Sequence, residues 1–447
     1  MPVAQQAREP ETFALTPGQR LLWDDLAPSG AQLNIGSLVL VPGDLDVDAF
    51  YRALAQSLAE HDAFSIRLVA DPTGGVPRQR VEPTKPLLQL VDLSAALDPT
   101  AAAHARARQL MAAPLDSFGP VLYRSQLLDL GADGCAWLFV ANHLAADGWS
   151  LALFVDHVLR RYAADIEGEP CEPKIASFVE WAREGKATNA ARLADKAAYW
   201  DARLDANSEA LLPPPAVPSP TARSLTTPIP SPLHARMAAY CTEHRASPQV
   251  LIQAALGVAL SQAQARTGWT LLLTSSNRRG AKLRRMSGQH AGVHPFRWDF
   301  DADQTMAELL TQVRQAMLQD YRQLPFQPNA GDRSAAVEFG VRFNSYPFEF
   351  LLSELEGRPL TILPLRSEAP IGPLEVIYVD LGPARERTVS FNYDPRALSG
   401  AEVEAIQTAI FQLIEAVLDS PEHPIPQLDV TYPRALGQAQ QLALAAD

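Results

Sequence analysis

Residues 135–150 read Cys135-Ala136-Trp137-Leu138-Phe139-Val140-Ala141-Asn142-His143-Leu144-Ala145-Ala146-Asp147-Gly148-Trp149-Ser150. The run Cys135 to Asn142 is apolar throughout and of strand length. Beyond Ser150, the residues Leu151, Phe154, Val155, Val158, Leu159 and Tyr162 recur at helical spacing. A histidine and an aspartate therefore fall on a short turn between a strand and an amphipathic helix. Such turns present side chains at an edge, where sites are commonly built. Asp147 is well placed to cap the helix that follows. His143, with an ordinary imidazole pKa near ~6.5, can take or give a proton near neutrality. His157, inside the amphipathic helix, reads as structural.

The same style runs outward from this stretch. Leu33 to Val41 is strand-like and ends at Pro42-Gly43. Asp46 caps a predicted helix whose apolar residues Val47, Phe50, Tyr51, Leu54 and Leu58 share one face. Strands are predicted at Phe64–Val69 and Val121–Leu128, and an alanine-rich helix at Pro99–Ala112. Two helical stretches are expected between Ile175 and Leu204. A proline-rich segment, Leu211 to Pro220, reads as an extended linker outside any core. Beyond it, helices are predicted at Leu233–Glu243, Pro248–Gln264, Thr305–Arg322 and Ala401–Leu418. Strands are predicted at Thr270–Ser275, Gly292–Phe300, Ala336–Phe343, Leu374–Val379 and Thr388–Asn392. The expected fold class is α/β, in two lobes: 1–175, bearing the histidine turn, and 176–447, with the linker near 205–225.

Composition narrows the function. The chain has 447 residues, of which 47% are hydrophobic, enough for a full core. A net charge of −13 is a poor footprint for general nucleic-acid binding. Cys135, Cys171 and Cys241 are odd in number and far apart, which suits neither a disulfide framework nor a zinc knuckle. No signal-like segment or long apolar run is present, so the expectation is a cytoplasmic monomer with no membrane and no nucleic-acid partner. His290 and His294 lie four apart with no acidic metal motif around them, so no metal is expected. A basic cluster interrupts the acidic chain: Arg278, Arg279, Lys282, Arg284 and Arg285.

Asn142-His143-Leu144-Ala145-Ala146-Asp147-Gly148 resembles the HHxxxDG motif of the nonribosomal peptide synthetase condensation domain family, within the chloramphenicol acetyltransferase-like superfamily. Other motifs follow in the family's order. Leu15 to Trp23 resembles the opening L-T/S-x-x-Q-x-x-L-W, and Glu60 to Leu68 resembles R-H-E-x-L-R-T-x-F. Tyr199-Trp200, Asn277-Arg278-Arg279, Leu324-Pro325-Phe326 and Asn392-Tyr393-Asp394 are similar to later motifs, and Gly288 keeps its spacing to Arg297. The resemblance spans roughly residues 13 to 435. Departures are Asn142 for the first motif histidine, Glu60 and Ser65 for arginines, His290 for phenylalanine and Gly292 for asparagine.

The resemblance implies a V-shaped pseudodimer of two acetyltransferase-like lobes with a central tunnel. With no adenylation or carrier domain read in the chain, the expectation is a free-standing acyltransferase that binds no cofactor of its own. Such an enzyme would join a carrier-bound acyl thioester donor, tethered through phosphopantetheine, to an amine or hydroxyl acceptor as an amide or ester. The acceptor is either carrier-bound or a small molecule. The donor carrier protein would act in trans. His143 takes the catalytic role, as general base or as positioning group, and the Gly148 N–H lies near the developing oxyanion. Asn142, Asp147 and Arg278 are structural at the site, with Asp147 paired to Arg278 of the other lobe. Arg279, Lys282, Arg284 and Arg285 are either a solvated loop or a contact for the carrier or its phosphate. A non-catalytic docking domain, an epimerising relative and a coenzyme A-dependent acyltransferase remain as alternatives.

Overall fold

The computed structural model describes residues 11–26, 34–184, 190–203, 210–299, 301, 303–324, 340–366, 370–434 and 436–437. Contacts divide the chain into two units. The first comprises Met1–Asn189, Arg278–Ala291 and Phe350–Ser367, and the second Ala190–Asn277, Gly292–Glu349 and Glu368–Asp447. The boundary thus falls near 189 rather than 175, and two stretches from the later part of the chain belong to the first unit.

The first unit contains, in order, α1 (Pro17–Leu26), β1 (Asn34–Val41), α2 (Val47–Glu60), β2 (Gln89–Asp92), α3 (Pro99–Ala112), β3 (Tyr123–Asp129), β4 (Cys135–Asn142) and α4 (Gly148–Glu167). Its main sheet has five strands in the order Thr361–Leu365, β1, β4, β3, β2. Only β2 and β3 run parallel. All eight residues of β4 are buried. A strand buried on both faces needs no alternation, which explains its unbroken apolar run. One face, through Ala136, Leu138 and Val140, packs with Ala103, Ala107 and Leu110 of α3. The other carries Trp137 and Phe139, whose rings lie 5.2 Å from Phe50 of α2 and 4.8 Å from Phe154 of α4. The sheet is therefore a middle layer between α3 and the α2–α4 pair, and β4 runs through its centre.

The second unit holds β5 (Arg223–Ile229), α5 (Ser231–Glu243), α6 (Pro248–Gln264), β6 (Gly268–Ser275), β7 (Gly292–Asp299), α7 (Met306–Arg322), β8 (Val341–Pro347), β9 (Leu374–Asp380), β10 (Arg387–Tyr393) and α8 (Gly400–Asp419). Its six-stranded sheet has the order β7-β6-β8-β9-β10-β5. Helix α6 is buried along most of its length, and one core joins it to α7, α8 and the sheet. Of the strand expected over 336–343, the first four residues lie outside the described set, and β8 continues to Pro347. Of the motif at 324–326, only Leu324 is described.

The proline-rich segment departs from expectation in one respect. Its prolines stay on the surface, but Leu211 and Leu212 are buried in the second unit's core. The segment lies inside that unit by contacts, because the two leucines gain more from burial than extended backbone costs them. The strands Arg78–Val81, Gln89–Asp92, Arg223–Ile229 and Thr361–Leu365 were not legible, being edge or short strands with mixed polarity.

Gly257 sits in the middle of α6, where alanine would be better by ~1 kcal/mol on helix propensity. A Cβ there would lie 2.2 Å from Cζ2 of the buried Trp298 indole. Gly257→Ala should therefore destabilise the protein by ~1–3 kcal/mol despite the gain in propensity, measured by urea unfolding of the second unit's tryptophan fluorescence.

Candidate active site

The strand β4 ends at Asn142, whose side chain closes the turn. Its Oδ1 accepts from Leu144 N at 2.9 Å, and its Nδ2 donates to Leu115 O at 3.1 Å and Ser117 Oγ at 3.0 Å. An amide can serve as both donor and acceptor here, which is the reason asparagine fits this place. The turn runs over His143 to Ala145, closed by Ala145 N donating to Asn142 O at 2.9 Å, and Asp147 caps α4 with its carboxylate accepting from Ser150 N at 2.8 Å. Gly148 is the first residue of α4 and is half-buried.

Asp147 meets Arg278 in a two-pronged ion pair. Arg278 Nη1 donates to Oδ2 at 2.7 Å and Nη2 to Oδ1 at 2.9 Å, and both side chains are 1% exposed. The same carboxylate also accepts from His290 N at 3.0 Å and Ala291 N at 2.8 Å. Burial alone would raise the Asp147 pKa. The Arg278 charge, its hydrogen bonds and the backbone N–H groups outweigh burial and hold the carboxyl far below the usual carboxylate range. Ser150 is more than the start of a helix: its Oγ accepts from Arg278 Nη2 at 2.7 Å and from Gly288 N at 2.9 Å, and lies 2.6 Å from Gly288 O. Arg278 belongs to the first unit by contacts, so the pair is internal to that unit rather than a link between lobes.

The whole segment 278–291 is tied down in this manner. Trp149 Nε1 donates to Arg284 O at 3.0 Å, and Ala176 N donates to Arg285 O at 2.9 Å. Ser287 Oγ is hydrogen-bonded to Nδ1 of the buried His61. Gly288 has φ +127°, and a Cβ there would lie 2.1 Å from the Phe178 ring, so only glycine fits. Asp62, next to His61, accepts from Phe178 N at 2.9 Å and fixes that ring's helix. His290 packs its ring against Phe178 and Trp181, with centroids 5.5 and 4.5 Å away. Burial and the nearby Arg278 charge push its pKa down to about 3, so it acts as a neutral aromatic in the slot where the family has phenylalanine. His294 is in β7 of the second unit, beside Trp200 and Tyr321. No cluster of three or more metal-ligating side chains occurs among the described residues.

His143 is partly buried at the loop's apex. Its Nδ1 lies 3.2 Å from Gln289 Oε1. Burial lowers its pKa, with the Asp147 charge, the carbonyls of His143 and Ala146, and Gln289 opposing, so the ring is neutral at pH 7. No hydrogen bond joins Asp147 to the His143 ring among the described residues; the carboxylate acts on it only through its field. The loop is also held from below by Gln19, whose Nε2 donates to Leu144 O at 2.9 Å and which pairs amide to amide with Gln79. Gln19 and Gln289 are the two site residues that sequence reasoning missed. Gln19 had a signal in the opening motif; Gln289 had none, because nothing local marks it. Of the basic cluster, Arg278 is buried in the ion pair, whereas Arg279, Lys282, Arg284 and Arg285 are exposed and make no ion pair among the described residues.

Solved structures share this architecture. A starter condensation domain of rhizomide synthetase in complex with C8-CoA superposes with a TM-score of 0.82 at 22% identity, over 94% of this chain and 98% of that one. The first condensation domain of the CDA synthetase gives a TM-score of 0.78 at 20% identity, over 94% of this chain and 99% of that one. The fold is thus that of these condensation domains. A family model, Condensation domain, matches residues 9–438, and the chain belongs to that family. A linear gramicidin synthase of Brevibacillus parabrevis is 26% identical over 96% of this chain, which spans only 9% of that protein's length. No described helix is long and apolar enough to cross a membrane.

Removing either member of a buried ion pair strands the other, at a cost of ~3–5 kcal/mol. Asp147→Ala and Arg278→Ala should each lower stability by that order, and the double variant by less than their sum. Additive losses in a double-mutant cycle would contradict the pairing. Because the folded Asp147 pKa lies below its ordinary value of 3.8, its stabilisation is full above that value and is lost as pH falls through the lower folded one. The stability gap between wild type and Asp147→Ala should accordingly shrink in unfolding experiments taken below pH ~4.

Proposed function

We propose that the protein transfers an acyl group from a carrier-bound, phosphopantetheine-linked thioester to an amine or hydroxyl acceptor, forming an amide or ester. The observation that carries this reading is the neutral, partly exposed His143 imidazole, held at the apex of a loop whose charged members are all engaged elsewhere. A neutral imidazole within reach of an attacking nucleophile can remove its proton as the new bond forms. The thioester carbonyl oxygen gains negative charge in the tetrahedral state, and we assign its stabilisation to the Gly148 N–H at the start of α4, aided by the helix's N-terminal dipole. Collapse of that state expels the carrier thiolate, which takes up the proton from His143. Asn142, Asp147 and Arg278 serve this chemistry by holding the loop.

Partner recognition falls to the exposed Arg279, Lys282, Arg284 and Arg285. They form a positive patch on a chain of net charge −13, with no ion-pair partner among the described residues. Such a patch suits an acidic carrier protein or the phosphate of its arm.

His143→Ala should lower turnover by ~10²–10⁴-fold with an unchanged circular dichroism spectrum. In the wild type, kcat/KM should fall with decreasing pH through a pKa below the ordinary imidazole value of 6.5. Undiminished turnover by folded His143→Ala removes the reading. Arg284→Glu with Arg285→Glu should raise KM for a carrier-bound donor and weaken its salt dependence, while leaving a small thioester donor unaffected. Equal loss with both donors would exclude carrier recognition by the patch.

A further inference from the structure

We propose that the open edge of β2 and the groove beside it form a docking site for an extended peptide of a partner, one that carries an apolar and a basic side chain on the same face. His143 takes no part in it, so the site stands apart from the acyl-transfer reading.

β2 (Gln89–Asp92) is the edge strand of the first unit's sheet, and among the described residues no strand pairs with its outer side. It runs parallel to β3, and just beyond it Leu93 N donates to Asp129 O at 2.9 Å. The backbone groups of successive strand residues point to opposite sides. Val91 and Leu93 therefore face β3, while the N–H and C=O of Leu90 and Asp92 face outward. An unpaired edge of this kind is a template for a further strand.

The side chains decide what that strand must carry. Leu90 and Asp92 share a face of the sheet with their ladder partners Leu127 and Asp129. A groove of about 390 Å³ opens on this face, walled by Leu45, Val47, Leu90 and Leu127. Leu90 is 60% exposed and Val47 39%, so this apolar area is left to solvent. Asp44, Asp92 and Asp129 also line the groove and make no ion pair among the described residues. Asp92 Oδ1 accepts from Ser94 N at 2.9 Å, which leaves Oδ2 for a cation. The one cation acting on Cys135, at the groove's floor, is Arg358, and it is already held by Glu356 and by Pro42 O. A strand added here sets one side chain opposite Leu90 and another, two residues along, opposite Asp92. The first must be apolar and the second basic. A helix laid in the groove would leave the outward N–H and C=O groups unmet, and an acidic segment would face three carboxylates.

The probe is a blocked, fluorescein-tagged peptide, Lys-Thr-Val-Thr-Lys, whose valine and lysines share one face of a strand in either direction. Titrated with the full chain, it should give saturable fluorescence anisotropy, with affinity falling as salt rises. The counterpart Glu-Thr-Val-Thr-Glu should not bind. Hydrogen exchange should slow at the Leu90 and Asp92 amides in the complex. N-methylation of the peptide's backbone amides should weaken binding by ~10-fold, through lost main-chain hydrogen bonds. Leu90→Lys and Asp44→Lys, both at exposed positions, should keep the wild-type melting temperature and each weaken binding by ~5-fold or more. Absence of saturable binding up to ~1 mM peptide, or protection confined to other segments, overturns the proposal. So does binding to both folded variants with wild-type affinity. Equal binding of the plain and N-methylated peptides overturns strand addition and makes the groove a site for a different ligand.

Discussion

A carboxylate and a guanidinium, both removed from water, meet at Asp147 and Arg278. Burying two charges costs several kcal/mol per ion unless geometry and further hydrogen bonds compensate. Here they do: the guanidinium is bidentate, and the carboxylate also receives Ser150, His290 and Ala291 N–H groups. Those extra partners have a structural consequence. They can be supplied only if residues 278–291 lie against the start of α4, so the pair obliges a stretch that follows β6 of the second unit to become part of the first. Ser150 Oγ and the Gly288–Phe178 contact then leave the stretch one conformation.

Around this pair the histidines are arranged as neutral groups. His61, His143 and His290 all have pKa values lowered first by burial. His61 and His290 use their rings for packing and hydrogen bonding, His61 with Ser287 and His157, and His290 with Phe178 and Trp181. His143 differs in being partly exposed. Among the described residues of the loop and the segment 278–291, buried charge is confined to one satisfied pair, and the remaining positive charge lies at the surface on Arg279, Lys282, Arg284 and Arg285. On the proposed reading of His143 as a base, its place beside a charge pair that is already satisfied suits moving a proton without also reorganising the surroundings.

Three of the departures from the family's motifs find local partners. Glu60 stands where an arginine is usual and is met by Arg161 of α4, which donates to both carboxylate oxygens at 2.8 and 2.6 Å. His290 fills an aromatic slot with an aromatic ring. Asn142 replaces a histidine but closes the turn through three hydrogen bonds, two donated and one accepted. Each of these three residues is thus held by partners in its own surroundings.

Periodicity alone determined the core of this protein. The unbroken apolar run of β4 signalled a strand, and the helical recurrence from Leu151 to Tyr162 signalled the helix after it. The turn between them, with His143 and the capping Asp147, was legible for the same reason: capping and strand ends are local effects, set by residues within a few positions of one another. Motifs in family order supplied Arg278 as Asp147's partner. What periodicity could not decide was which unit Arg278 would join, that Leu211 and Leu212 would enter a core, or that Thr361–Leu365 would complete the first sheet. Gln289 was likewise silent. Its importance comes from a histidine 146 positions away and a carbonyl beside it, and a hydrogen bond across that separation leaves no trace in spacing. Such contacts exist only after the chain has folded and a buried charge has drawn the backbone around itself.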